Sequence, residues 1–160
     1  MGASGVPSHV SPEGLPRMVD VAAKPVTARQ ATARARLRIP PEALSVLQRD
    51  DWRVAKGAVL PTAVVAGVQA AKRTADLIPF CHPLAIEGCD ISATPTADGL
   101  EILCTVRTTH KTGVEMEALT GAAVAALTVI DMCKSLTPAI EIVETRLLAK
   151  SGGRRPYTAP

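Results

Sequence analysis

The chain contains one long uncharged segment, from Ala118 to Ile130, in which apolar or small residues occupy every helical face. Thr112 and Glu115 precede the segment with the spacing of a capping box, and Pro138 follows it as a stop signal, so a helix is predicted between them. A helix that is apolar all round is normally buried, whereas this uncharged run is too short to span a bilayer. The segment therefore predicts a core helix around which the rest of the chain must pack.

Asp131 and Lys134 lie at the end of this predicted helix. A lysine there complements the negative end of the helix dipole, but an aspartate opposes it. Burial and the helix end are expected to raise the pKa of Asp131, with Lys134 opposing that rise, and such tuning suits general acid/base catalysis. The two residues are also spaced i, i+3, so a surface ion pair of small stabilising effect is the alternative.

Composition limits both the core and the partners of the chain. Its 160 residues fit one domain, and hydrophobic residues make up 47% while aromatic residues make up only 2%, so the core must be aliphatic. So few aromatic side chains argue against a base-stacking platform for nucleic acid. The net charge of +3 suits an anionic small molecule, and neither a nucleic-acid nor a membrane partner is expected.

The four cysteines lie in apolar segments without a C-x-x-C pair, at positions 81, 89, 104 and 133. This spacing predicts neither a zinc ribbon nor a redox motif, and reduced core cysteines are expected in a cytoplasmic protein. The N-terminus lacks the apolar run of a signal peptide, so no export or membrane segment is expected.

Apolar residues alternate with polar ones in four stretches, at 34–39, 89–93, 102–106 and 140–148, which predicts four strands. Asp98-Gly99 predicts a hairpin turn between the second and third strands. Helices are predicted from Pro41 and from near Pro61, in addition to the long one. This order predicts an α+β fold of the ferredoxin-like split βαβ type, a four-stranded antiparallel sheet with helices on one face.

Composition also divides the chain into three parts. Residues 1–17 are rich in Gly, Pro and Ser and predict a flexible N-terminal extension, residues 18–150 form the single folded domain, and residues 151–160 predict a flexible basic tail. The segment from Lys150 to Arg155 is either a disordered basic end or a flap that grips phosphate.

Polar residues next to apolar runs at element ends are the candidates for a site: Lys72, His82, Glu115, Glu117, Asp131, Lys134 and Lys150. Each has a structural alternative: Glu115 serves a capping box, His82 is a structural histidine, and Lys134 only complements the helix dipole. Cys81 and His82 are adjacent without a second ligand pair, so no metal site is expected.

Glu117 and Asp131 are separated by 14 residues of the predicted helix. At 1.5 Å per residue that separation is about 21 Å, too far for both residues to serve one small-molecule site within one subunit. If both ends of the helix function, the site is expected between subunits, where one chain's helix start meets another chain's helix end.

Five motifs resemble, in order, those of the molybdenum cofactor biosynthesis protein C (MoaC) family. They are Met18-Val19-Asp20-Val21, Ala70-Ala71-Lys72-Arg73-Thr74 with Leu77-Ile78-Pro79-Phe80-Cys81-His82-Pro83-Leu84, Lys111-Thr112-Gly113-Val114-Glu115-Met116-Glu117-Ala118-Leu119-Thr120, Asp131-Met132-Cys133-Lys134 and Leu147-Leu148-Ala149-Lys150-Ser151-Gly152-Gly153. The resemblance covers about residues 18–153.

The resemblance implies a lyase that converts the GTP-derived 3′,8-cyclo-7,8-dihydro-GTP into cyclic pyranopterin monophosphate, with pyrophosphate as the leaving group. It also implies a ferredoxin-like subunit in a homohexamer, built as a trimer of dimers with sites at subunit interfaces. No resident cofactor is implied, and Mg²⁺ is expected only with the substrate triphosphate.

The family's functional residues carry over onto two groups of positions. Asp131 resembles the catalytic acid/base, assisted by Lys134 and Lys56, whereas Phe80-Cys81-His82 and Met116-Glu117 resemble substrate-binding segments. Glu115 suits the N–H edge of a purine or pterin. Lys72 and Lys150, with His82 and Arg29, suit the charge of departing pyrophosphate.

The sequence departs from the family pattern at two positions. Ala58 stands where an Asp is expected beside Lys56, which removes a loop contact, and Phe80 stands where Leu is usual. The functional alternative to the lyase is a non-catalytic ferredoxin-like module that binds a nucleotide or another polyanion through its basic ends.

Overall fold

The computed structural model describes residues 14–160, so most of the predicted N-terminal extension, residues 1–13, lies outside the described residues. The helices are α1 (Pro41–Arg49), α2 (Val59–Lys72), α3 (Thr74–Leu77) and α4 (Glu115–Cys133). The strands are β1 (Thr27–Arg38), β2 (Arg53–Val54), β3 (Gly57–Ala58), β4 (Gly88–Thr96), β5 (Gly99–His110), β6 (Glu141–Ser151) and β7 (Tyr157–Thr158).

The main sheet has the strand order β4-β5-β1-β6-β7, and every neighbouring pair is antiparallel. Its four long strands have the order of the ferredoxin-like fold, which confirms the predicted fold class. The sheet has five strands and not four, because the basic tail turns back and Tyr157–Thr158 pair with Lys150 and Ala149. A separate two-stranded hairpin, β2-β3, connects α1 to α2.

The two faces of the sheet differ in the way their periodicity predicted. On β1 the alternate residues Ala31, Ala33, Ala35 and Leu37 are buried, and β1 packs against α4 on this face. On the opposite face Arg34 lies between carboxylates, including Glu144 at 2.8 Å. The row of arginines is therefore largely neutralised by acidic residues of neighbouring strands.

The predicted core helix is α4, which packs against α2 and against the strands β1, β5 and β6. It is 19 residues long, and by length and composition alone it is apolar enough to cross a membrane. The uncharged run from Ala118 to Ile130, considered by itself, was too short for that. Half of that apolar stretch is buried inside the fold, as is usual for a core helix.

Two glycines allow α2 and α4 to approach each other closely. A Cβ atom added at Gly67 would lie 2.8 Å from the backbone oxygen of Gly121 and 2.6 Å from Cδ1 of Ile91. A Cβ atom added at Gly121 would lie 2.7 Å from the sulfur of Cys104. Larger side chains would separate the two helices, so these positions fix the α4 axis over the sheet.

The predicted capping box at the start of α4 is wrong. The helix begins at Glu115, its N-cap is Val114, and no side chain makes a capping hydrogen bond. The carboxylate of Glu115 accepts a hydrogen bond from Nζ of Lys150 at 2.9 Å instead. An ion pair with a distant strand has replaced the local contact.

Candidate active site

Two adjoining cavities open at the N-terminal end of α4. The small cavity, about 340 Å³, is lined by Val19, Val21, Lys24, Phe80, Cys81, His82, Leu84, Thr112, Gly113, Glu115, Met116 and Glu117. The large cavity, about 860 Å³, is bounded by residues 20–29, 111–115 and 150–155. They share Lys24, Thr112, Gly113 and Glu115, so a single extended ligand can occupy both.

The segment 18–25, before β1, forms one wall of both cavities. The Nε2 atom of His82 lies 2.8 Å from the backbone oxygen of Val19, and Nζ of Lys111 donates to the backbone oxygen of Ala22 at 2.7 Å. A hydrogen bond of 2.7 Å from the backbone N–H of Ala22 to Asp20 adds a local turn. His82 therefore contacts this wall as well as lining the small cavity.

Glu117 is the buried carboxyl group of the small cavity, with only 4% of its surface exposed. Burial raises the pKa of Glu117 to about 7, its own backbone amide opposes that rise, and Glu115 adds to it. Burial and Glu117 also raise the pKa of the Cys81 thiol. The raised pKa lets the Glu117 carboxyl hold a proton closer to neutral pH than an ordinary glutamate does, and the protonated form donates as well as accepts hydrogen bonds.

The large cavity is strongly basic. In the described part of the chain it is lined by six cationic side chains against the carboxylates of Asp20 and Glu115, and the cations are Lys24, Arg29, Lys111, Lys150, Arg154 and Arg155. Arg29 is oriented by backbone oxygens, since it donates to those of His110 and Lys111 at 3.4 Å each. The arrangement suits a polyanion such as a triphosphate.

A second cluster lies at the opposite end of α4 and consists of Asp131, Lys56 and Lys134. Nζ of Lys134 is 2.7 Å from Oδ1 of Asp131, and Nζ of Lys56 is 2.8 Å from Oδ2. Lys56 also donates to the backbone oxygen of Asp131 at 2.7 Å, so it satisfies a carbonyl group at the helix end. Two ammonium groups thus converge on one carboxylate.

The expected rise in the pKa of Asp131 is wrong. The side chain is 58% exposed, and hydrogen bonds from Lys134 and then from Lys56 lower its pKa to about 2. Asp131 is not in an apolar setting. It is ionised at neutral pH, and the charge that opposes the helix dipole is compensated by the two lysines.

The structure brings together most of the predicted site residues, but in two groups. The binding residues Phe80, Cys81, His82, Glu115, Met116 and Glu117 line the small cavity, and Lys150 lines the large one. Lys72 is exposed at the end of α2 and lines neither cavity formed by residues 14–160. The catalytic candidates lie at the other end of α4, about 21 Å away along its axis.

Some lining residues had no role assigned from the sequence. Val19 and Val21 line the small cavity and belong to the first motif of the family resemblance, in which valines alternate with Asp20, and that motif was the available signal. Lys111 opens the third of those motifs, whereas Lys24 carries no local signal, because only the fold brings it to the cavity that Lys150 lines. In residues 14–160 no group of three His, Cys, Asp or Glu side chains is placed to hold a metal ion.

Sequence comparisons relate this chain to known proteins. The sequence profile of the MoaC family matches residues 18–153. A cyclic pyranopterin monophosphate synthase of Xanthomonas campestris pv. campestris (strain B100) is 54% identical over 149 residues, which cover 92% of this chain and 90% of that protein. Proteins of the same name from Chloroflexus aurantiacus and Streptomyces griseus are 49% and 48% identical, over 92% of this chain and 90% and 82% of their own lengths.

Proposed function

Because this chain belongs to the MoaC family, we propose that it is a cyclic pyranopterin monophosphate synthase, a lyase of molybdenum cofactor biosynthesis. It converts 3′,8-cyclo-7,8-dihydro-GTP into cyclic pyranopterin monophosphate and releases pyrophosphate. The observation that carries this assignment is the small cavity with its buried carboxyl group, which opens directly into the basic large cavity. The pair suits a base joined to a triphosphate.

The large cavity holds the triphosphate. Arginine and lysine side chains form charge-assisted hydrogen bonds with phosphate oxygens, and the guanidinium groups of Arg29, Arg154 and Arg155 suit bidentate contacts. As pyrophosphate departs, negative charge grows on its oxygens, and preorganised cations stabilise that charge. Lys150 lies where the two cavities meet, because it pairs with Glu115.

The small cavity holds the base. The N–H edge of a guanine or pterin ring needs hydrogen-bond acceptors, which Glu115 and Glu117 supply. Phe80 and Met116 are partly exposed there, at 49% and 37%, and offer apolar surface to the flat ring. His82 holds the wall formed by residues 18–25 against the base.

The cluster at the end of α4 performs the proton transfers that ring opening and ring closure require. Asp131 is ionised, so at neutral pH it accepts a proton and does not donate one. The ammonium groups of Lys56 and Lys134 are the donors, and the carboxylate holds both at less than 3 Å. Their positions also suit charge stabilisation on the reacting ring.

The two groups of residues act together only between chains. Within one subunit the base pocket and the Asp131 cluster are about 21 Å apart along α4, so a second copy supplies the missing half. A homohexamer built as a trimer of dimers, with sites at the subunit interfaces, meets this requirement. The enzyme acts in the cytoplasm, in keeping with its four unpaired cysteines, and Mg²⁺ enters only with the triphosphate.

Turnover of the cyclised dihydro-GTP tests the proposal directly. Purified protein is incubated with this compound, and pyrophosphate release and pterin fluorescence are measured together. Wild-type protein should give both products, and Asp131→Asn should lose at least about a hundredfold in rate. Equal and negligible turnover by both proteins would reject the enzyme and leave a polyanion-binding module.

A further inference from the structure

The backbone between α1 and α2 is held in an unusual conformation. Asp51 and Trp52 have φ angles of 50° and 54°, and they are the only non-glycine residues with positive φ among residues 14–160. Two consecutive residues with side chains in the left-handed region are disfavoured, because Cβ crowds the following carbonyl oxygen. Such strain persists only where surrounding contacts determine it, and it concentrates at functional sites.

The main chain of Trp52 joins the two helices. Its N–H donates to the backbone oxygen of Leu47 at 2.7 Å, while Asp51 donates to that of Gln48 at 3.4 Å, which is the Schellman arrangement at a helix end. Its backbone oxygen accepts from the N–H of Val59 at 2.9 Å, an otherwise unpaired donor at the start of α2. The position after the α1 cap normally holds glycine, but here it holds Asp51.

The side chain of Trp52 fixes this junction in the core. It is 5% exposed and belongs to the main hydrophobic cluster, against which Val54 of the next strand also packs. A bulky ring held by the core leaves the backbone little freedom, so its packing maintains the strained conformation.

The hairpin β2-β3 leaves directly from this junction and carries Lys56 at its turn. Arg53 pairs with Ala58 and Val54 with Gly57, which closes the turn around Lys56. Only three residues lie between Trp52 and Lys56, and Nζ of Lys56 reaches both the carboxylate and the backbone oxygen of Asp131. The direction in which the hairpin leaves the junction therefore decides whether this lysine meets Asp131.

We propose that Trp52 is a positioning residue of the reaction, which holds the hairpin so that Lys56 contacts Asp131. The inference rests on the proposed function for its kinetic consequences but not for its structural ones. A tryptophan that served only the core would affect stability and leave the Asp131 cluster unchanged.

Two substitutions disturb the hairpin in independent ways. Trp52→Phe keeps an aromatic ring in the core but loses part of the packing that sets the junction. Gly57→Ala leaves the core intact and has room for the added methyl group, but its φ of 118° is unfavourable for alanine. Ile102→Val, at a fully buried position on β5, is the matched control for a small loss of core packing.

The pKa of the Asp131 carboxyl, followed by carbon NMR in uniformly labelled protein, is the structural readout. In both hairpin variants it should rise above about 2 but stay below its ordinary 3.8, because Lys134 still donates to it. With the cyclised substrate, kcat should fall about ten- to a hundredfold while KM stays within about twofold, since the base and phosphate contacts are untouched. Ile102→Val should change neither quantity.

An unchanged Asp131 pKa in both hairpin variants would overturn the proposal, and so would an equal shift in Ile102→Val. The titration needs no substrate. If the wild-type protein fails to turn over the cyclised dihydro-GTP, the proposed function fails, and the titration still decides whether Trp52 positions Lys56.

Discussion

Mixing two inactive variants measures whether one site is built from two chains. Glu117→Ala damages the base pocket at the start of α4, and Asp131→Asn damages the cluster at its end. If each site takes its two halves from different chains, a dimer containing one chain of each kind has one site with both defects and one site with neither. If both ends of α4, about 21 Å apart along its axis, serve one small-molecule site, the two halves come from different chains.

The expected recovery follows from counting sites. With random pairing after co-expression at equal levels, half of the dimers are mixed and each has one intact site of two, so about a quarter of the wild-type activity should return. Pyrophosphate release by purified mixed oligomers is the assay, with differently tagged chains to confirm the mixing. The control is co-expression of Glu117→Ala chains with Lys150→Ala chains. Both residues belong to the half of the site at the start of α4, so every site in a mixed dimer carries one defect. Mixed oligomers with no more activity than the single variants would refute the shared site, and so would a monomer by light scattering.

Three further predictions follow from the charges and helix ends. Lys56→Ala and Lys134→Ala should each raise the pKa of Asp131 from about 2 toward its ordinary 3.8, as measured by NMR titration. In the wild type the contacts of the ionised Asp131 stabilise the fold above about pH 3.8. This stabilisation is lost as the pH falls through about 2, which acid unfolding measures. Burial raises the pKa of Glu117 from 4.5 to about 7, so the folded state binds this proton more tightly than the unfolded state does. The resulting stabilisation of the fold is complete below about pH 4.5 and is lost as the pH rises through about 7. Glu117→Gln should therefore be more stable than wild type at pH 8 by up to about 3 kcal/mol and similar at pH 4, as measured by urea unfolding; a difference independent of pH would contradict the assigned cause. Ala58 is the N-cap of α2 and makes no side-chain capping bond, so Ala58→Asp should raise the free energy of unfolding by about 1 kcal/mol, and an unchanged urea midpoint would show that the added carboxylate does not cap the helix.

The elements that the sequence predicted well are those specified by neighbouring residues. Cys89, Ile91 and Ala93 alternate with polar residues, and Asp98-Gly99 follows, so the β4-β5 hairpin forms with the expected turn. The core helix was recognisable because no charge interrupts it from Ala118 to Ile130. The order of these elements then left few topologies, and the ferredoxin-like one is observed.

The predictions that failed depended on partners far away in the chain. Glu115 has the right spacing for a capping box, but Lys150, 35 residues later, takes its carboxylate. Asp131 was expected to have a raised pKa, but hydrogen bonds from the local Lys134 and from Lys56, 75 residues earlier, lower that pKa, and only Lys134 could be anticipated from the sequence. Local patterns contain no information on such pairs, since they form only once the sheet and α4 have brought the segments together. The strained junction at Trp52 gave no local signal either.

The charges of the described residues are distributed unevenly, in a way that suits the proposed triphosphate substrate. The net charge is only +3, and arginines on the sheet are matched to carboxylates, as in the pair of Arg107 with Asp90 at 2.5 Å. In the large cavity, by contrast, six cations face two carboxylates. Unmatched positive charge is therefore concentrated in the large cavity, which is the proposed triphosphate site, and a concave wall strengthens its field. At the C-terminal end of α4 the positive charge is weaker, because the carboxylate of the ionised Asp131 offsets part of the charge of Lys56 and Lys134. Under the proposed function, the triphosphate is attracted to the base-pocket end of one chain, and the reacting ring is then placed next to Lys56 and Lys134 of the neighbouring chain.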